Sequence, residues 1–512
     1  MGDSARQIAQ RLAALPASSL TGTQRGIEKE SLRANTDGSL ALTPHPAALG
    51  SALTHPHITT DFSESQLELI TGVHGSVPAC LDELRQIHAA VARALGDEMM
   101  WAASMPCGLP ADETIPIGRY GTSNIGRAKS VYRMGLGHRY GRCMQTISGI
   151  HYNWSMPGLT SDDYFALIRN FRRHLFVPML LLGASPAVCE SFVAGRPHEL
   201  QRLAGSTLGL PHATSLRMGR LGYRSDAQSS LAVSYNNLDS YARSLHGALT
   251  QTYPPYDAIG VHNPGGEYIQ LATTLLQIEN EFYGSIRPKR VIRSGERPLH
   301  ALRERGVEYI EVRCLDLDPF ETLGIAAPAV ALLDVFLLHC LLAPSPPDTP
   351  DEVAALGRNQ ERTAARGREP GLRLERGGRE VVLVEWAAEV LEQCAPIADL
   401  LDELQGGTRH RAALAAANEA LGATRRLPSA RVLETMARDF DGSHIQFVRA
   451  RSAAVKRALL DTPWSAGLEQ RYRAMAEASR EDQRAAEAAD REPFEAFRRR
   501  YLDAAQLTPS GR

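Results

Sequence analysis

Apolar and polar residues recur along this chain with two different periods. Apolar residues three and four apart, which give a helix one buried face, fill four segments of the first half. Alternating apolar and polar residues, which give a strand one buried face, fill most of the segments between and after them. The helical segments are 1–20, 79–98, 161–185 and 226–250, and the strand-like segments are 25–33, 57–73, 142–156, 267–286 and 306–320. The sequence therefore predicts strands and helices interleaved as far as residue 321.

From about residue 322 the pattern becomes helical. We expect breaks at the proline-rich residues 343–352 and across the basic, glycine-dotted residues 357–380. The tail, residues 467–506, is rich in Ala, Glu and Arg at helical spacing and predicts a solvated helix packed on the body. We accordingly expect a sheet-bearing catalytic part, residues 1–321, and a mainly helical part, residues 322–512, packed on the same body.

One apolar run, LGIAAPAVALLDVFLLHCLLAP at residues 323–344, is long enough to cross a membrane. Asp334 and His339 lie inside it, and a carboxylate at the centre of a bilayer costs roughly 2.5–3.5 kcal/mol. The run therefore favours a buried core helix that begins near Pro328.

The strand-like runs each carry a polar face. Residues two apart on a strand point the same way, so Glu28 and Glu30 in RGIEKESLRA share a face. The other aligned sets are Gln145, His151 and Asn153; Glu279, Glu281 and Tyr283; and Tyr309, Glu311 and Arg313. One polar face is ordinary in a sheet with one side in water, but several faces rich in Glu and Arg indicate strands that share a polar cavity.

Crowded carboxylates in such a cavity point to a metal. Like charges repel unless a cation neutralises them, and carboxylate oxygens suit Mg²⁺ or Mn²⁺. TTDFSESQLELIT adds Asp61 and Glu68, the latter between two leucines. Each of these residues alone is commonly a solvated surface charge, so the prediction rests on their joint pattern. GTSNIGRAKS, from Gly121, has arginine where a P-loop has lysine, which leaves metal-held phosphates as the route by which a nucleotide would bind.

Arginines concentrate beside tyrosines at residues 214–224 and 286–298. The arginine fork binds carboxylate and phosphate oxygens at two points. Most of these arginines are predicted to be surface charges. Arg217 and Arg313 are exceptions, because each lies in an apolar or site-facing stretch.

Composition narrows the classes of partner. The formal charge is −2 over 512 residues with basic and acidic residues interspersed, which gives no support for nucleic acid or a membrane surface as a partner. The seven cysteines are odd in number, scattered and never spaced as CxxC, so they predict reduced thiols in a cytoplasmic protein. The first residues carry charge and lack the apolar core of an export signal. A small, anionic ligand is compatible with all of these features.

Eight short sequence blocks, taken in order along the chain, resemble those of a known protein family. Together they resemble the bacterial glutamate–cysteine ligase family of type 1, also called γ-glutamylcysteine synthetase, from about residue 20 to 320 and more loosely to the end. The blocks are RGIEKESLR, GSALTHPHITTDFSESQLELIT, MPCG, YGTSNIGRAKSVYR, RYGRCMQTISGIHYNWSMP, ATSLRMGRLGY, LQIENEFYGSIRPKR and GVEYIEVRCLDLDPF.

The resemblance implies an α+β, glutamine synthetase-like fold in which a curved antiparallel sheet forms the active-site cavity and helices surround it. Such an enzyme uses ATP, with Mg²⁺ or Mn²⁺, to join the γ-carboxylate of L-glutamate to the amino group of L-cysteine through γ-glutamyl phosphate. The product, γ-glutamylcysteine, is the precursor of glutathione. We expect a cytoplasmic protein that is a monomer or a weak homo-oligomer, with neither nucleic acid nor membrane as a partner.

The resemblance also implies roles for particular residues. Arg313 and His151 would face the phosphates as catalytic and nucleotide-binding residues. Arg217 would also be catalytic and would hold a substrate carboxylate. The base that takes the proton of the amine is not identified. The implied metal ligands are Glu28, Glu30, Asp61, Glu68 and Glu311, and the implied cysteine pocket consists of Phe62, Tyr132, Gln145, Tyr223 and Tyr283.

Two other functions stay open on the sequence. A sister carboxylate–amine ligase would use another amine, because the aromatic pocket argues for a small side chain without requiring a thiol. A non-catalytic sensor would keep the fold and bind glutamate or a nucleotide. Retention of every predicted metal position speaks against the sensor, since binding alone does not need the full set.

Overall fold

The computed structural model describes residues 3–222, 226–229, 231–293 and 295–508. The strands in these ranges are β1 (Gln24–Ala34), β2 (Ile58–Thr60), β3 (Gln66–Ile70), β4 (Met99–Met100), β5 (Ile150–Ser155), β6 (Ala187–Cys189), β7 (Gln201–Ala204), β8 (Thr207–Gly209), β9 (Ile286–Lys289), β10 (Tyr309–Leu315), β11 (Arg373–Arg376) and β12 (Arg379–Val382). The helices are α1 (Asp3–Ala14), α2 (Ala17–Thr21), α3 (Val77–Ala94), α4 (Asn124–Tyr140), α5 (Ser161–Arg173), α6 (Phe176–Leu182), α7 (Glu190–Val193), α8 (Asp226–Ser229), α9 (Leu238–Thr250), α10 (Pro254–Ile259), α11 (Pro298–Arg305), α12 (Ala327–Leu342), α13 (Pro350–Arg366), α14 (Leu383–Gln405), α15 (Arg409–Gly422), α16 (Pro428–Asp439), α17 (His444–Leu460), α18 (Ala466–Ala489) and α19 (Phe494–Leu502).

The longest strand, β1, lies at the centre of the main sheet. The strand order is β2-β3-β1-β5-β10-β9, β4 pairs with the end of β1, and every pairing is antiparallel. The register sets Glu28 opposite His151 and Glu30 opposite Glu68. Residues directly opposite one another in an antiparallel pair project from the same face. This sheet among helices confirms the mixed α and β composition, and its register brings acidic residues from separate strands together.

The other face of the sheet packs against α12. The hydroxyl of Tyr152 on β5 donates to Asp334 on α12 at 2.6 Å, and Arg25 on β1 pairs with the same carboxylate at 3.2 Å. All three side chains are buried. Removing one member of such a buried pair leaves the other charge unsatisfied, so the contact fixes α12 beneath the sheet.

The apolar run at 323–344 is a buried helix, as predicted. It forms α12, with Pro328 in its first turn, and its residues from Val330 to Leu342 are all buried. Pro is tolerated there because the first amides of a helix have no partner within it. Among the helices of the described ranges, none has both the length and the apolar character that a membrane crossing requires.

The strand predicted at 267–286 is largely wrong. Glu279–Glu281 form a single 3₁₀ turn, and only the last residue of the segment enters β9. Glu279 pairs with Arg297 at 2.7 Å, and Glu281 pairs with Arg139 at 2.8 Å, with all four side chains buried. Two arginines from distant segments therefore hold these carboxylates in a turn, away from the acidic face of the sheet.

The break predicted across 357–380 is wrong in part. Residues 357–366 complete α13, whose first turn is capped by the Thr349 hydroxyl accepting from the Glu352 amide. Residues beyond it form the β11–β12 hairpin, which turns at Gly377 and Gly378, both with positive φ. Glycine tolerates that conformation and most other residues do not, so these glycines mark a turn between strands.

The prediction that all the cysteines are reduced is wrong for two of them. Cys107 and Cys189 form a disulfide, and the Nδ1 atom of His444 lies 3.2 Å from the sulfur of Cys107. The two cysteines are 82 residues apart, and packing of the loop after β4 against the end of β6 brings them together. No spacing rule could reveal that pair. The free thiols are Cys80, Cys143, Cys314, Cys340 and Cys394.

Candidate active site

The acidic face of the main sheet lines a cavity of about 710 Å³. Most of the residues singled out in the sequence meet in this cavity, although they come from segments far apart in the chain. Tyr223 lies outside the described residues. Of the residues singled out in the sequence, those that line the cavity are Glu28, Glu30, Asp61, Phe62, Glu68, Tyr132, Gln145, His151, Tyr283, Glu311 and Arg313.

The carboxylates gather around one histidine. Glu28, Glu68 and His151 each offer a ligand atom, and these atoms all lie within 4.8 Å of one another. The Nδ1 atom of His151 is 3.3 Å from Glu28, and its Nε2 atom is 3.5 Å from Glu30. The amide of Gly149 donates to Glu30 at 2.8 Å and so fixes that side chain toward the cavity.

Part of this cluster holds more negative charge than its surroundings neutralise. Burial, together with the charges of Asp61, Glu28 and Glu30, raises the pKa of Glu68 well above its usual value. Burial also raises the pKa of Glu30. Burial opposes the charge of Glu28 as well, but its hydrogen bond with His151 leaves its pKa below the usual value. Such an all-oxygen set with uncompensated charge fits a hard divalent cation.

Basic side chains balance the remaining carboxylate, Glu311. The Nζ atom of Lys289 lies 3.3 Å from one oxygen of Glu311, and a terminal nitrogen of Arg313 lies 3.2 Å from the other. Although burial disfavours the charge, Lys289, Arg313 and His151 together hold the pKa of Glu311 well below its usual value. Arg287 also lines the cavity and is buried, so the prediction that it is a surface charge is wrong.

Lys129 and Arg133 line the cavity without having been singled out in the sequence. Burial lowers the pKa of Lys129 to about 8, and the guanidinium of Arg133 donates to the backbone carbonyl of Asp61. Residues four apart share one face of a helix, so the spacing of Lys129 and Arg133 beside Tyr132 on α4 was the available signal. The P-loop comparison made in the sequence analysis does not use this spacing, so the two basic residues were not predicted.

Aromatic and amide groups form a less charged wall of the same cavity. The side-chain amide of Gln145 donates to the Tyr283 hydroxyl at 2.9 Å. Phe62 is buried, and Tyr132 lies on α4. This wall can hold a small, partly apolar group close to the carboxylates.

Arg217 lies behind Arg313 instead of lining the main cavity. It borders a smaller adjoining cavity of about 120 Å³ that Arg313 and Tyr283 also line. A terminal nitrogen of Arg217 donates to the backbone carbonyl of Arg313 at 2.9 Å. Its guanidinium packs on Gly149, where a Cβ atom would collide with it. The absence of a side chain at Gly149 therefore makes room for this arginine.

The C-terminal helices complete the outer wall. Ala486 on α18 and Tyr501 on α19 line the cavity. Glu487 accepts from the amide of Thr122 at 2.8 Å, and the backbone carbonyl of Glu492 accepts from the Asn124 side chain at 2.9 Å. The tail therefore holds the N-terminal end of α4 beside the site, which its solvated helical pattern gave no reason to expect.

Comparison with known proteins gives one consistent family. The sequence profile described as "Glutamate-cysteine ligase" matches residues 10–363. A glutamate–cysteine ligase of Alcanivorax borkumensis is 45% identical over 97% of this chain and 99% of that protein. One from Pseudomonas aeruginosa is 49% identical over 84% of this chain and 85% of that protein.

Solved structures agree with the sequence relatives. The glutamate–cysteine ligase of Francisella tularensis, determined in complex with AMP, superposes with a TM-score of 0.90 at 34% identity, covering 94% of this chain and 98% of that one. A bifunctional glutathione synthetase from Pasteurella multocida shares the fold, with a TM-score of 0.71 at 23% identity over 92% of this chain and 58% of that one.

Proposed function

This chain belongs to the glutamate–cysteine ligase family, and we propose that it joins the γ-carboxylate of L-glutamate to the amino group of L-cysteine at the expense of ATP. The product is γ-glutamylcysteine, and the reaction is the first step of glutathione biosynthesis. The observation that carries the proposal is the meeting of Glu28, Glu30, Asp61, Glu68 and Glu311 with Arg313 and His151 in one cavity. We also propose that the fold is glutamine synthetase-like and that its main sheet is curved.

The proposed metal ligands are these same five carboxylates. Their oxygens suit Mg²⁺ or Mn²⁺, and the raised pKa of Glu68 marks repulsion that such an ion would relieve. When bound, the ion would supply charge neutralisation at the phosphates, without which ATP and the substrate carboxylate repel.

The first chemical step in the proposal transfers the γ-phosphoryl group. A γ-carboxylate oxygen of glutamate attacks the terminal phosphorus, the bond to the bridging oxygen breaks, and ADP leaves. Arg313 and His151 are proposed to contact the phosphates, because fixed donors stabilise the charge that the phosphoryl oxygens carry in the transition state. Lys289 beside Glu311 adds a second cation at the same place.

The second step forms the amide bond. The amino nitrogen of cysteine attacks the acyl carbon of γ-glutamyl phosphate, inorganic phosphate leaves, and the amine loses a proton. The leaving phosphate can accept that proton, so no side chain is assigned the role. Phe62, Tyr132, Gln145 and Tyr283, with Tyr223, are proposed to hold the cysteine side chain.

Arg217 is proposed to act on a substrate carboxylate. The smaller cavity that it shares with Arg313 and Tyr283 adjoins the catalytic one, so a carboxylate there would lie next to the reacting groups. A guanidinium fork binds a carboxylate at two points. Arg217→Lys should therefore raise the KM of one amino acid substrate more than it lowers kcat.

The setting of the enzyme is part of the same proposal. We propose a cytoplasmic location, where ATP is available. The formal net charge of −2 gives no support for nucleic acid or a membrane as a partner. We keep the division into residues 1–321 and 322–512 as a proposal, along with a monomeric or weakly associating state, which sedimentation at several protein concentrations would measure.

The test is phosphate release with ATP, Mg²⁺ and L-glutamate while amines are added one at a time. We expect the highest kcat/KM with L-cysteine, lower values with L-2-aminobutyrate, which lacks only the thiol, and lower still with glycine. Turnover with another amine alone would identify a sister ligase. Binding of glutamate or ATP without turnover on any amine would identify a sensor, and a Glu28→Gln variant supplies the inactive control.

A further inference from the structure

A second cluster of metal-ligating side chains lies outside the catalytic cavity, where the end of α5 meets α12. His174 directly follows α5, while His339 and Cys340 are consecutive on α12. One ligand atom from each lies within 4.8 Å of the other two. His339 and Cys340 are completely buried. None of the three lines the catalytic cavity, and the proposed ligase reaction uses none of them.

Hydrogen bonds around His339 determine which of its ring nitrogens is available. The amide nitrogen of Gln393 donates to Glu389 at 3.4 Å, which turns the amide oxygen of Gln393 toward the Nε2 atom of His339, 2.9 Å away. An amide oxygen only accepts, so Nε2 carries the proton and Nδ1 carries the lone pair. Metal-ligating histidines are oriented in this way, through a hydrogen bond from the nitrogen that does not face the ion.

Two of the ring nitrogens in this cluster are buried and make no hydrogen bond to the part of the chain that the structure describes. Within the described residues, neither the Nδ1 atom of His339 nor that of His174 has a hydrogen-bond partner. A buried polar atom without a partner costs free energy, and a ligand would remove that cost.

The donor set selects the kind of ion. Two imidazole nitrogens and one sulfur suit Zn²⁺ and disfavour Mg²⁺, which takes oxygen ligands. A cavity of about 400 Å³ reaches His174 and Gln393 from outside and provides access. Three protein donors leave one position of a four-coordinate zinc site, which a water molecule can complete.

We propose that His174, His339 and Cys340 bind one Zn²⁺ ion at a site separate from the catalytic cavity. The ion would tie the end of α5 to α12, the helix whose Asp334 holds the back of the catalytic sheet. The site would therefore act on stability, and the chemistry of the ligase would not depend on it.

The test uses the full-length protein, reduced with a phosphine and kept in excess Mg²⁺ so that the carboxylate cluster is occupied. Titration with Co²⁺ should give one equivalent of a tetrahedral spectrum with a sulfur-to-cobalt charge-transfer band, and Zn²⁺ should displace it. Cys340→Ser should abolish that band, while His174→Gln and His339→Gln should weaken binding at least tenfold. Zn²⁺ should raise the Tm of the wild type and leave that of Cys340→Ser unchanged.

Two controls separate this site from other places where the ion could bind. The Cys107→Ser/Cys189→Ser double variant removes the other cluster of sulfur and imidazole, around His444, and should keep the band. His88→Gln removes a buried histidine whose two ring nitrogens also lack partners within the described residues, and should keep it too. A band that survives Cys340→Ser, or that vanishes in either control, would overturn the proposal.

If one of these variants fails to fold, a measurement on the wild-type protein still tests the proposal. X-ray absorption at the zinc edge of the wild-type protein reports the ligands directly. The spectrum should show one sulfur ligand, with nitrogen making up most of the rest. A spectrum of oxygen and nitrogen alone, or no retained zinc after gel filtration, would refute the site.

Discussion

Replacing Glu68 by glutamine tests whether the carboxylates of the catalytic cavity repel one another in the metal-free protein. Glu28 and Glu68 offer oxygens within 4.8 Å of each other. Two unit charges at that separation repel by about 3 kcal/mol when the effective dielectric constant is about 20. Glutamine keeps the size of the side chain and removes the charge. Glu68→Gln should therefore raise the free energy of unfolding in EDTA by up to about 3 kcal/mol.

The direction of the pKa shift also sets a pH dependence. The pKa of Glu68 is raised in the folded protein, so the folded state binds this proton more tightly than the unfolded state does. Its contribution to stability is complete below the ordinary carboxyl value of 4.5 and is lost as the pH rises through the raised value. In EDTA, wild type should lose stability as the pH rises above 4.5 more steeply than Glu68→Gln.

Urea denaturation followed by circular dichroism, with EDTA and with Mg²⁺, measures both effects. Mg²⁺ should stabilise the wild type more than Glu68→Gln, and phosphate-release assays should show that the variant loses most of its activity. Glu64→Gln is the matched control, because Glu64 is a buried carboxylate that accepts from the amides of His45 and Arg119, each at 2.6 Å. It should lose about 1–2 kcal/mol. If Glu68→Gln in EDTA is destabilised as much as Glu64→Gln, the reasoning is refuted.

Three further changes test other parts of the molecule. Glu28→Gln should lower kcat by orders of magnitude with little change in Tm, since the metal would lose a charged ligand; near-normal turnover would remove Glu28 from the proposed set. Asp334→Ala should cost about 3–5 kcal/mol in urea denaturation, because it leaves Arg25 charged and buried; a cost below about 1 kcal/mol would contradict this. Burial lowers the pKa of His444 to about 4 from 6.5, so its contribution to stability is complete above pH 6.5 and is lost toward pH 4. His444→Gln should flatten that loss in urea midpoints, and equal slopes would exclude the effect.

Strand periodicity was sufficient where local sequence decides the structure. The alternation around Glu28 and Glu30 predicted β1, and the alternation around Glu311 predicted β10. On β10 one face is polar and the other is apolar, which is the pattern that a period of two residues predicts. On β1 the same period places Glu28 and Glu30 on the cavity face, although Arg25 and Lys29 make the opposite face partly polar as well. The convergence of their carboxylates could therefore be expected before the fold was known.

Periodicity failed where distant residues decide the structure. Glu279 and Glu281 lie at strand spacing, but Arg297 and Arg139 draw them into a turn. The disulfide between Cys107 and Cys189 likewise depends on contacts that no local window contains. The metal ligands predicted from the family resemblance meet in one cavity, and their role stays a prediction until metal binding is measured.

The wall contributed by Ala486 and Tyr501 has a consequence for biosynthesis. A ribosome completes the carboxylate-bearing strands when little more than three fifths of the chain has been made, yet the far side of the chamber is still untranslated. A polypeptide that ends after α17 would keep every strand that bears these carboxylates, together with α12, whose Asp334 pairs with Arg25 of the sheet. A stop codon between α17 and α18, at residues 461–465, should therefore leave an assembled catalyst that lacks this outer wall.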